Sequence, residues 1–141
     1  MRCISLISCL FLATFSNGQS IIGAWERLHT SEAGDAMRSI VIFVDGYQTI
    51  ASFDATSGKF VSTNGGTWQL KGDLMTETVE FDTKTPERVG SSVSFQVQIT
   101  NETLEIVGKD VLFKKIDDGT PGDLKGAWLM SGRIVDEKLQ D

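Results

Sequence analysis

Residues 39–54 read SIVIFVDGYQTIASFD. Two runs of β-branched and aromatic residues flank Asp45-Gly46. An Asp-Gly pair is a strong hairpin signal, because both central residues of a type I′ turn need positive φ. The segment is therefore expected to be two antiparallel strands joined tightly.

The same punctuation recurs on both sides. Turns are expected at Thr56-Ser57-Gly58, Asn64-Gly65-Gly66, Lys71-Gly72-Asp73, Thr100-Asn101-Glu102 and Gly108-Lys109-Asp110. Hairpins following one another every ~8–12 residues indicate an antiparallel sandwich or barrel. Alternation gives the faces. Val93, Phe95, Val97 and Ile99 interleave with Ser94, Gln96 and Gln98, a period of two. Met75, Glu77, Val79 and Phe81 share one face of their strand, with Thr76, Thr78 and Glu80 on the other. One wet and one dry face per strand suits a single sheet curled around an interior. The run at 40–44 is apolar on both faces, which implies cover by a neighbouring segment or a partner. Only Pro86-Glu87-Arg88-Val89, closed by Gly90, suggests a helical turn. The expectation is an all-β, antiparallel up-and-down barrel of about eight strands over residues 21–118, with one short helical turn near Pro86 and Val89.

The N-terminus differs in kind. Arg2 precedes an apolar run from Ile4 to Phe15, and Ser16 and Gly18 occupy the −3 and −1 places of a small-residue cleavage site. Residues 1–18 are read as a signal peptide, too short to span a bilayer, with secretion or periplasmic export as the consequence. Leu6-Ile7-Ser8-Cys9 has the look of a lipid-attachment box, but the stretch before Cys9 is too brief for a working signal. Cleavage removes both cysteines, Cys3 and Cys9, so the exported chain holds itself by its apolar core. At roughly 120 residues it is large enough for one domain. The formal charge of −6 becomes more negative once Arg2 is lost. Nucleic acids and anionic membrane surfaces, which need clustered Lys and Arg, are disfavoured as partners.

Catalytic and metal-binding signals are few. His29 is the only histidine, and with the cysteines gone no zinc cluster can form, so no metal and no cofactor is expected. A Ser-His-Asp arrangement could be built only on His29, which is read as a surface residue. Gly65-Gly66 lacks the Lys-Ser/Thr and helix of a phosphate loop. Glu77, in the apolar alternation, is the carboxylate of interest. An inward carboxyl has a raised pKa unless paired, and could anchor a ligand, act as an acid or base, or pair with Arg27, Arg38 or Arg88.

Gly23-Ala24-Trp25 opening the first strand, ahead of a meander of hairpins, resembles the Gly-x-Trp opening of the lipocalin superfamily. More narrowly, Asp45-Gly46-Tyr47, Asn64-Gly65-Gly66-Thr67-Trp68, the strand from Met75 to Phe81, and Arg88-Val89-Gly90 are similar to a lipocalin-like family of bacterial secreted proteins of unknown function. The likeness covers about residues 22–116. Asn64, Trp68, Met75 and Phe113 depart from its usual Gly, Tyr, Tyr and Trp. It implies an eight-stranded barrel whose Trp25 closes one end. It also accounts for the second Gly-Ala-Trp at Gly126-Ala127-Trp128, beyond a Pro- and Gly-containing linker at 119–123. Residues 124–141 are then the start of a second repeat, or an extra edge strand open to a second domain or protein partner.

The interior of so small a barrel is either filled by side chains or just large enough for one small ligand. With a pocket, the protein binds a small, partly apolar or amphiphilic ligand without catalysis, using Tyr47, Phe53, Trp68, Phe81 and Phe95 with Glu77 as polar anchor. With a filled barrel, it is a structural or interaction module.

Overall fold

The computed structural model describes residues 20–123, 126–128, 133–135 and 138–140. The leader read at 1–18, with Cys9, lies outside the described residues. Eight strands follow in order: β1 Gly23–Thr30, β2 Ala36–Val44, β3 Tyr47–Asp54, β4 Phe60–Lys71, β5 Leu74–Asp82, β6 Ser92–Ile99, β7 Thr103–Ile106 and β8 Val111–Asp117. Each pairs antiparallel with the next and β8 returns to β1, closing an up-and-down barrel. A single 3-10 turn, Pro86–Arg88, lies between β5 and β6.

This topology sorts the connections into two ends. The β2–β3, β4–β5 and β6–β7 turns share one end with the start of β1. There Trp25 is fully buried, and its Nε1–H donates to the Ile21 carbonyl at 2.7 Å. Lys115 Nζ stands 4.6 Å from the Trp25 ring centroid, so the indole is capped by a cation. Val41, Phe43, Met75, Val97, Leu104 and Phe113 complete the buried core. Gly23 is required by close approach: at φ 123 its added Cβ would lie 2.2 Å from the Asp117 carbonyl oxygen. The Gly-x-Trp opening thus has two separate causes, a backbone crossing at Gly23 and a floor plug at Trp25.

The turn expected at Asn64-Gly65-Gly66 is absent. β4 runs unbroken through all three residues. The glycines serve close packing instead: a Cβ on Gly66 would sit 1.9 Å from the Thr78 carbonyl oxygen, and one on Gly65 2.5 Å from the Gln48 carbonyl oxygen. Opposite them β5 carries a bulge, with Gly66 facing Val79 and Gly65 facing Phe81, so that Glu80 has no cross-strand partner.

Two further strands, β9 Arg133–Val135 and β10 Lys138–Gln140, pair with each other. They form a two-stranded sheet of their own, separate from the closed barrel. Trp128 is 73% exposed.

Candidate ligand site

Above the Trp25 floor the barrel holds a cavity of about 300 Å³. Val41, Phe43, Ile50, Met75, Phe95, Val97, Leu104 and Phe113 form its apolar wall. The register makes them converge, because directly opposed residues share a face. Phe43 opposes Gln48, Val41 opposes Ile50, and Met75 opposes Phe95. Part of the lumen therefore stays open above the buried core.

Three polar side chains project into this apolar space. Gln48 is only 7% exposed, and its amide makes no hydrogen bond among the described residues. The Asn64 side chain likewise makes none, its backbone carbonyl alone accepting from Thr49 Oγ1 at 3.3 Å. Glu77 completes the group. Burial pushes its carboxyl above the ordinary value of 4.5, opposed more weakly by the positive charge of Arg88. Among the described residues the carboxyl has no ion-pair partner: Arg88 reaches it through space, while the ion pair of Arg88 is with Asp82, Nη1 to Oδ2 at 3.1 Å. Among the described residues no second carboxylate lines the cavity.

Asp82 is a buried structural residue. Its Oδ1 accepts from the Lys84 and Thr85 backbone N–H groups, both at 2.9 Å. Those bonds, Thr85 first, hold its carboxyl below the usual range against the opposing effect of desolvation, with Arg88 adding to them. The cluster fixes the 3-10 turn and with it Arg88 at the cavity mouth. Lys109, on the β7–β8 turn, lines the same mouth and makes no ion pair among the described residues.

The residues singled out from sequence divide. Glu77 and Phe95 line the cavity. Trp68 points inward but belongs to the floor: its Nε1–H lies 2.9 Å from the Val44 carbonyl and 3.0 Å from that of Tyr47, and its ring packs edge-on against Phe43. Tyr47, Phe53 and Phe81 must be corrected, since all three face outward. In β3 the inward set is Gln48, Ile50 and Ser52, so Tyr47 and Phe53 fall on the other parity. Phe53 packs edge-to-face with Phe60 instead. Phe81 is displaced by the β5 bulge, which turns it outward over Gly65 and turns Asp82 inward in its place.

His29 is half-buried near the mouth rather than a surface residue. Its Nδ1 is buried without a hydrogen-bond partner, and desolvation, then the nearby Arg27 charge, holds it below 6.5. Arg27 Nη2 donates to the Asp110 carbonyl at 2.7 Å. Among the described residues no three His, Cys, Asp or Glu side chains are grouped to hold a metal ion, and no helix is long and apolar enough to cross a membrane. Sequence reading missed Gln48, Asn64, Asp82 and Lys109. The parity set by the Asp45-Gly46 turn would have found Gln48, by pairing it with inward Phe43.

No protein-family model matches the chain, and no curated protein matches it. Among solved structures it is similar to a lipocalin-like protein from Bacteroides uniformis ATCC 8492, at 18% identity and a TM-score of 0.47, covering 67% of this chain and 97% of that one.

Proposed function

We propose that the chain is an exported, non-catalytic carrier that binds one small, partly apolar molecule in the barrel lumen. One observation carries the reading: Gln48, Asn64 and Glu77, whose side chains have no hydrogen-bond partner among the described residues, face a 300 Å³ cavity whose wall is mostly apolar. These polar groups face the cavity instead of protein partners, so their hydrogen bonds are open to whatever occupies it. A bound molecule with a polar end and an apolar body takes those hydrogen bonds and covers the wall. The leader at 1–18 supports export. The filled-barrel alternative has less support, because three polar side chains face the cavity and pair with no described protein group.

A lumen-filling variant tests the proposal. Val97 is buried and lines the cavity, so Val97→Phe should occupy much of it. Native mass spectrometry and calorimetry against a panel of small amphiphiles should detect a one-to-one complex with the parent protein and at least a tenfold loss, about 1.4 kcal/mol, in the variant. Circular dichroism checks that the variant stays folded. A parent protein that binds nothing in the panel, or a folded variant that binds equally well, sinks the carrier reading.

A further inference from the structure

The register that sends Val41, Ile50 and Gln48 into the lumen sends their neighbours out, because directly opposed residues share a face. On the outer wall Ile42 opposes Thr49, Thr49 opposes Gly65, and Gly65 opposes Phe81. One row nearer the mouth, Ile40 opposes Ala51 and Ala51 opposes Thr63. Neither row contains a charged side chain. The charges on their borders are the Glu26–Arg38 ion pair, at 2.5 Å, and Glu80 beside Phe81. Phe53 and Phe60, edge-to-face at 6.0 Å, form a ridge beyond Ala51. Thr49 and Ala51 are therefore low ground between that ridge and the exposed side chains of Ile42 and Phe81.

The chain leaving β8 is carried to this wall. Gly119 packs on the start of β1, where an added Cβ would lie 2.8 Å from Ile22 Cγ2. Gly126 then lines a recess with Ile42 and Val44 at the floor end of β2. Two residues on, Trp128 is 73% exposed, so this large ring leaves its own barrel wall uncovered. Areas follow from sheet spacing. Strands ~4.8 Å apart, with outward side chains every ~7 Å, make the wall roughly 400–500 Å². A buried tryptophan adds about 150–250 Å². Together these approach the ~800 Å² per partner of a specific complex, whereas the wall alone falls short.

We infer that two copies of this chain pair about a two-fold axis through the outer wall of β2–β4, each Trp128 seated on the other copy's Thr49 and Ala51. A projecting ring and a hollow on the same side of one molecule are self-complementary, and a two-fold axis satisfies both at once. Charge favours the same occupant. A chain at −6 repels its own copy, so self-association needs a face of little charge, and this wall is one. The inference uses the outside of the barrel and holds whether or not the lumen binds a ligand.

Sedimentation velocity on the chain from Gln19 onward should show a monomer–dimer equilibrium with a Kd of about 1–100 μM. Rising salt should tighten it by screening like charges. Trp25 is buried and Trp68 is packed into the floor, so the red shift of tryptophan emission expected on dilution reports Trp128. Ile42→Lys and Trp128→Ala should each weaken the dimer tenfold or more. Leu112→Lys, at an equally exposed apolar position on the outer face of β8, should leave it unchanged. Circular dichroism checks the folding of Ile42→Lys, and the exposed Trp128 keeps the test open if that variant does not fold. A monomer at every concentration, a dimer indifferent to Trp128→Ala, or one lost in Leu112→Lys would overturn the inference. So would Trp128 emission already blue-shifted in the monomer, which would make the chain's own C-terminal segment the cover of this wall.

Discussion

Glu77 and Asp82 lie five positions apart on one strand and are set in opposite directions by their surroundings. Asp82 accepts two backbone N–H groups and an arginine, so its proton is held less tightly folded than unfolded. Its support for the fold is present above its unfolded pKa and is lost as pH falls through the lower folded value. Glu77 has no such bonds, and burial raises its pKa. Between its ordinary 4.5 and that raised value the folded chain holds an extra proton, so stability falls as pH rises through the window. Above the window the cost is complete, and below 4.5 it is gone. Glu77→Gln keeps the shape and removes the charge. In ligand-free protein it should raise stability by about 1 kcal/mol at pH 7 and make no difference near pH 4. Urea midpoints at both pH values measure this, and a loss of stability at pH 7 would show that Glu77 has a structural partner. Alternation alone placed Glu77 inward, but the absence of a partner depends on where Arg88 goes, and a loop anchored by Asp82 decides that.

At the scale of elements, period-two reading located β6 and the inward face of β5 as far as Val79. It failed past Val79, because a bulge is one extra residue and leaves alternation looking continuous while every later side chain changes face. Phe81 and Asp82 exchange places for that reason. The signal lay in the partner strand. Gly65-Gly66 was read as a turn, whereas mid-strand glycine marks a bulge or a close backbone approach. The two readings predict different energetics. If Gly66 were a turn glycine, alanine would add only the strain of positive φ, about 1–2 kcal/mol. In the bulge, alanine drives its Cβ into the Thr78 carbonyl and to within 2.8 Å of the Glu80 nitrogen. Gly66→Ala should therefore destabilise the barrel by roughly 3 kcal/mol or more. Gly72→Ala, a turn position at φ 64 with open space around it, should cost clearly less. Equal losses in the two variants would refute this role for the bulge.

The whole barrel is only as continuous as its closure. β1 pairs with β2 over eight residue pairs but with β8 over three, Ala24–Asp117, Trp25–Lys115 and Glu26–Lys114; β6 and β7 also share only three, but the β1–β8 ladder is in addition irregular after Ala24. The rest of β1 is tied across the seam by the Arg27 Nη2 bond to the Asp110 carbonyl. Pairing with the Trp25 floor on one side of the barrel and the open mouth on the other places this weak seam beside the mouth. Composition could not reveal it, since Arg27 and Asp110 are far apart in sequence and their bond uses a backbone carbonyl. Local stability follows the density of buried contacts and of protected backbone hydrogen bonds. Amide hydrogens of Leu28, His29 and Leu112 should therefore exchange faster than those of Val41, Phe43 or Val97. Arg27→Ala should accelerate exchange along the seam by about tenfold, the loss of roughly 1.4 kcal/mol, while leaving amides around Trp25 and Phe43 unchanged. Arg27→Lys keeps the charge without the planar fork and should restore only part of the protection. Uniform exchange across all eight strands, or a seam indifferent to Arg27→Ala, would mean that the barrel opens as one cooperative unit and that its lumen is reached only through the mouth.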